Sequence, residues 1–151
     1  LDSRFTAPDN KREMQDVSFN DDLINIKFGF DKKGQPNMVA FNRLSTRYLK
    51  NEIDSYYIIS IDGKTNNVTF FDLYQQLPYT NYNVGTGQVM LKEKQFFSQF
   101  DQEKDYSISK ISIIHTLRQM KVQSHNDHVT LKEIQLKKSL ELFDNTLKQY
   151  C

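Results

Sequence analysis

The order of the apolar runs between Met38 and Tyr150 constrains this chain more than any other feature. A strand-like run at Met38–Leu49 leads to a second at Ser55–Ile61. An Asp62-Gly63 turn follows, then a third run at Val68–Tyr74. The Pro78-containing stretch Gln75–Thr86 has no clear period and reads as an ordered loop or a short helix. Beyond it lie a long run at Gln88–Phe100, a strand at Tyr106–His115 and an amphipathic helix. Two strands, a turn, a strand, a gap, two more strands and a helix predict a mainly β fold: a five-stranded barrel with a C-terminal α-helix.

Side-chain periodicity refines this order. Leu23–Phe30 alternates cleanly, with Ile24, Ile26, Phe28 and Phe30 on one side and Asn25, Lys27 and Gly29 on the other, which predicts a half-buried strand. Asp31–Pro36 reads as a turn. Val39 and Phe41 open one phase, and Leu44, Thr46 and Tyr48 continue in another. Inside one strand, such a slip predicts a β-bulge, the bend a long first strand needs to close a barrel. Tyr106–His115 slips once more, from Tyr106 and Ile108 to Ile111 and Ile113. Ser55–Ile61 is apolar on both faces and needs cover on both. The predicted organisation is an N-terminal arm over residues 1–22, a barrel over 23–120, a polar linker at Met120–His128, and a helix over 129–151.

That helix has its own signals. Thr130 and Glu133 form a capping-box pattern. Leu136, Leu140, Phe143, Leu147 and Tyr150 follow at spacings of four, three, four and three, a narrow seam suited to packing against another helix. Away from the seam lie Lys137, Lys138, Glu141, Asn145 and Lys148. The alternative use of the seam is to close the open end of the chain's own barrel.

Composition narrows the function classes. The 151 residues fit a single domain, and 11 Phe and 8 Tyr predict an aromatic-rich core. A net charge of +1 is low for a domain that holds nucleic acid by phosphate contacts alone. Only five glycines are present, and no phosphate loop, nucleophile elbow or dinucleotide fingerprint occurs. The single cysteine, Cys151, precludes an internal disulfide and points to a reducing compartment. No apolar stretch approaches the about 20 residues of a membrane span. The Asn67-Val68-Thr69 sequon stands without any other sign of secretion. His125 and His128 lack partner ligands at metal-site spacing, and His115 with Ser112 makes no triad. Asp101, Glu103 and Asp105 read as a solvated turn. The chain is therefore read as a non-enzyme without cofactor or metal.

Three segments resemble the OB-fold proteins of the replication protein A and CST telomere-capping families. They are Tyr56–Tyr74 (YYIISIDGKTNNVTFFDLY), Gly85–His115 (GTGQVMLKEKQFFSQFDQEKDYSISKISIIH) and the helix that follows. The resemblance covers roughly two-thirds of the chain and is a match of pattern, without a diagnostic residue string. A chain stopping after this helix is most similar to the smallest subunits of those trimers. A fragment of the middle subunit also fits, since Leu1 is not a start methionine.

The resemblance implies a non-catalytic, nuclear subunit of a single-stranded DNA-binding complex. It implies docking to sister OB-fold subunits through Leu136, Leu140, Phe143, Leu147 and Tyr150, with no membrane partner. It also implies weak or auxiliary DNA contact across the second and third strands, by Tyr57 and Phe71 with Arg43, Arg47, Lys92 and Lys94 at the rim. Because adjacent strand residues point oppositely, one of Phe70 and Phe71 is expected in the core and the other on the surface. The competing expectation is an α+β interaction domain of a multiprotein assembly, such as a secretion-system subunit. A helix at Asp9–Asp16 under the sheet would mark it.

Overall fold

The computed structural model describes residues 2–10, 13–29 and 37–149, apart from the side chains at 37, 93, 94 and 97. In chain order the elements are β1 (Phe5–Thr6), β2 (Val17–Phe19), β3 (Asp22–Gly29), β4 (Asn37–Ala40) and α1 (Phe41–Leu49). Next come β5 (Tyr57–Asp62), β6 (Val68–Asp72), a 3-10 turn at Leu77–Tyr79, β7 (Thr80–Asn83) and β8 (Gln88–Leu91). Two helices follow, α2 (Glu93–Gln99) and α3 (Lys110–Leu147).

Five strands do form one sheet, in the order β1-β2-β3-β5-β6, but the sheet is mixed and does not close into a barrel. β3 and β5 run parallel, with Ile24 beside Tyr57 and Ile26 beside Ile59, while β5 and β6 form the antiparallel hairpin of the Asp62-Gly63 turn. Parallel neighbours need a long crossover, most often helical. The stretch between β3 and β5 supplies one, because α1 lies in it. The change of phase after Val39 is therefore a change of period, from strand to helix, and not the expected bulge. Phe41, Leu44 and Tyr48, spaced three and four apart, are the buried face of α1.

β4, β8 and β7 make a second, antiparallel sheet. β7 and β8 are joined through Gly87, which sits at φ +69° in the left-handed region that favours glycine. Its N–H donates to the Asn83 carbonyl at 2.7 Å. The long run at Gln88–Phe100 divides in the same way as the first, into β8 and α2.

The N-terminal stretch is more than an arm. β2 extends the large sheet antiparallel to β3, β1 adds antiparallel to β2, and Met14 is buried. Among the described residues of 9–16 there is no helix.

The core lies between the inner face of the large sheet, α1, the small sheet and the first turns of α3. Leu23, Ile58 and Phe71 meet Leu44, Tyr48, Leu73, Tyr74, Val89, Phe96, Ile113 and Leu117 in one buried cluster. It is rich in aromatic rings, and two of its phenols find backbone acceptors. Tyr74 donates to the Leu44 carbonyl at 2.8 Å, and Tyr56 to the Met14 carbonyl. Burial raises the pKa of both phenols, so they stay protonated.

The largest departure from expectation is α3. Tyr106–His115 is not a strand, Met120–His128 is not a linker, and the helix does not start at Thr130. Ser109 is the N-cap, its Oγ accepting from the Ser112 N–H at 3.2 Å, and 38 helical residues follow. Ile113, Leu117, half-buried Met120 and Ser124, spaced four, three and four apart, face the body. Thr130 and Glu133 lie mid-helix, where no backbone donor awaits a cap.

Candidate functional site

Two apolar surfaces outside the core stand out among the described residues. The first is the distal half of α3. Its proximal half is tied to the body at several points. Lys110 Nζ donates to Asn51 Oδ1 at 2.7 Å, and Lys121 Nζ to Asn42 Oδ1 at 2.8 Å. Tyr82 Oη and His128 Nε2 lie 2.7 Å apart, with their rings near perpendicular. Beyond half-buried Leu131, every described residue from Lys132 to Gln149 is exposed.

The expected seam lies on this free stretch. Leu136, Leu140, Phe143 and Leu147 are 60%, 52%, 67% and 61% exposed. They do not cover the chain's own sheet. Tyr150, the fifth seam residue, lies outside the described residues. An aqueous helix that presents four large apolar groups on one stripe without a neighbour gains stability by burying them, at roughly 25 cal/mol per Å² of apolar surface.

The second surface is the outer face of the large sheet. Ile26 and Phe28 of β3, Tyr57, Ile59 and Ile61 of β5, and Val68 and Phe70 of β6 share that face by register. Tyr57 stacks on Phe70, with centroids 5.1 Å apart and planes at 14°. At the margin, the Gln102 side chain reads both backbone groups of Phe70. Its Oε1 accepts from the N–H at 3.0 Å, and its Nε2 donates to the carbonyl at 2.8 Å.

The residues expected to contact nucleic acid are dispersed. Tyr57 is on the outer face. Phe71, expected as a stacking platform, is 4% exposed on the inner face, packed on Phe96 at 4.7 Å, whereas Phe70 is 41% exposed. Arg43 and Arg47 ride on α1, which packs on the inner side, and Arg47 pairs with Glu52 at 3.3 Å. Lys92 precedes α2, its N–H bonded to the Tyr79 carbonyl at 2.7 Å. The Lys94 side chain lies outside the described residues. Lys27, the one lysine of β3, alternates to the inner side, where burial lowers its pKa against the pull of Asp16. The aromatic pair and the described cations do not share a face. Periodicity gave no means of ranking Phe70 above Phe71, because the face of β6 is fixed by its pairing with β5.

A shallow cleft of about 200 Å³ lies beside β6, lined in part by Asp72, Gln75, Gln76, Lys104 and Tyr106. Burial pushes the Asp72 carboxyl up to about 6, even though its Oδ1 accepts from the Tyr56 and Tyr74 N–H groups at 3.1 and 3.0 Å. Those bonds make Asp72 a backbone clamp on the segment leaving β6. Gln76 Oε1 is buried and lacks a hydrogen-bond partner among the described residues. Gln75 is committed elsewhere, accepting from the Ile108 N–H at 2.6 Å.

Among the described residues no three His, Cys, Asp or Glu side chains are grouped as metal ligands, and no helix is long and apolar enough to cross a membrane. No family model matches the sequence, and no curated protein matches it either.

Proposed function

We propose that this chain is a non-catalytic assembly subunit whose two-sheet body carries a docking helix, the distal half of α3. The observation that carries this reading is the exposure of Leu136, Leu140, Phe143 and Leu147 on a stretch of helix that its own body does not cover. The helix is long enough to be seated and free at once. Its proximal turns bury Ile113 and Leu117 in the core, which fixes the direction of the rest. An α+β interaction domain of a larger machine, a secretion-system subunit for example, would use the same handle. The test is association of the full chain with its binding partner, comparing wild type with Leu140→Asp/Phe143→Asp. Loss of association in the variant supports the reading. Unchanged association of every partner overturns it.

A second reading is auxiliary contact with single-stranded DNA, within a nuclear replication or telomere-capping complex joined to sister subunits through α3. Its support is the Tyr57–Phe70 stack on an open sheet face. Aromatic pairs on a sheet are platforms for unstacked bases, worth about 1–3 kcal/mol for each base stacked. An OB-type barrel would further require closure between β1 and β6, the outer strands of the sheet. Fluorescence anisotropy with labelled oligonucleotides at two salt concentrations tests this reading. Binding that weakens with salt and is lost in Tyr57→Ala/Phe70→Ala supports it, and no binding at low salt removes it.

A further inference from the structure

We propose that the occupant of the α3 seam is a second copy of this chain, lying antiparallel along Lys132–Gln149. This inference rests on the assembly reading above and names its partner. The spacing of Leu136, Leu140, Phe143 and Leu147 is four, three, four, and it reads the same in both directions. A two-fold axis across the helix therefore sets Leu136 opposite Leu147 of the second copy and Leu140 opposite Phe143. Each of these four apolar groups meets another. In heptad terms Phe143 and Leu136 are d residues, and Leu140 and Leu147 are a residues.

Charge selects the direction. Lys137 and Asp144 lie on the same flank of the seam, seven residues apart. In the antiparallel pair like flanks meet, so Lys137 of each copy faces Asp144 of the other, twice over. The opposite flank meets through Ser139 and Thr146, which are neutral. A parallel pair does the reverse. It stacks Glu133 on Glu133 within the seam and sets Lys132 of one copy beside Lys137 of the other. Like charges across such a seam oppose pairing, and flank charges set orientation.

Geometry allows the overlap. The stretch from Lys132 to Gln149 is exposed throughout, and its helical part, to Leu147, is about 24 Å long at about 1.5 Å per residue. In the antiparallel register the bodies lie at opposite ends of the shared segment. The bonds that seat α3 on its own body, the last among the described residues being Tyr82 to His128, lie outside the overlap and stay intact.

Sedimentation of the full chain over a concentration series provides the test, with cross-linking in a Cys151→Ser background. The expected results are a monomer–dimer equilibrium, weakening by about five-fold in Lys137→Asp, and recovery in Lys137→Asp/Asp144→Lys. Mixed Leu136→Cys and Leu147→Cys chains are expected to form the mixed disulfide in preference to either homodisulfide. A chain that stays monomeric throughout overturns the proposal, leaving the assembly reading to its own partner test. A dimer tightened by Lys137→Asp is parallel and overturns it too. A dimer indifferent to Leu140→Asp/Phe143→Asp but lost in Phe70→Asp uses the sheet face, and overturns both. Cys151 lies outside the described residues; every other substituted position is exposed, and circular dichroism verifies that each variant keeps its helix.

Discussion

Tyr82 Oη and His128 Nε2 stand 2.7 Å apart across 46 residues of sequence, and among the described residues this is the last hydrogen bond from α3 to the body. The pair divides α3 into a seated half and a free half. Tyr82 itself is held, its ring edge-on to the buried Phe41 ring at 5.7 Å. Tyr82→Phe keeps that ring contact and removes the tie. The expected cost is about 0.5–1 kcal/mol in urea unfolding, the low end for a hydrogen bond near solvent. Amide exchange is expected to quicken around residues 125–132 and not around 111–117.

Phe70 and Phe71 provide a test of which sheet face is inside. Phe71→Ala removes a ring packed between Phe96 and Phe100 and is expected to cost about 3–5 kcal/mol. Phe70→Ala removes an exposed ring stacked on Tyr57 and is expected to cost about 1 kcal/mol. Equal costs in denaturant unfolding would contradict the assignment of faces.

Asp72 makes stability depend on pH with a defined sign. Its folded pKa, about 6, is above the ordinary carboxylate value of 3.8, so the folded state favours the protonated form. Its favourable contribution is fully present below about pH 4 and is lost as pH rises through about 6. Asp72→Asn keeps an acceptor for the Tyr56 and Tyr74 N–H groups without the buried charge. The variant is expected to gain on wild type between pH 4 and pH 7.5, by up to about 3 kcal/mol. Unfolding curves at the two pH values measure that gain, and a difference independent of pH would refute it.

The start of α3 is also open to measurement. Ser109→Ala deletes the cap that bonds Ser112 and is expected to cost about 1 kcal/mol. Thr130→Ala, at an exposed mid-helix position, is expected to be neutral or slightly stabilising, since alanine is the better helix former. The opposite ranking in thermal unfolding would place the helix start near residue 130.

Much of the fold was legible where one period held over a whole element. Leu23–Phe30 alternates and is β3 as far as the described residues run, and the Asp62-Gly63 hairpin falls where its turn residues place it. The distal seam was legible for the same reason, because four apolar residues recur at helical spacing over three turns. Misreading occurred where the period changed inside an apolar run. Phe41 and Phe96 belong to both patterns, so a strand continuing into a helix looked like a longer strand. In Tyr106–His115 the lead-in to a helix and its first turn, with Ile113 buried and Ile111 exposed, resemble a strand that slips. The polar Met120–His128 is helix because Met120 and Ser124 suffice to seat one narrow side, which composition alone cannot reveal. Strand order was not legible at all. The parallel pairing of β3 with β5 is a long-range choice, and with it went the closed barrel.

The amide of Gln102 has a wider meaning for the molecule. By engaging both polar groups of Phe70, it serves β6 as a surrogate neighbour one residue long. An unprotected margin there would invite strand addition from another chain. At the far margin β1 spans only Phe5–Thr6, too short to template a ribbon. Growth of the sheet into fibrils is thereby blunted at both ends, which leaves side-by-side packing as the open route to association.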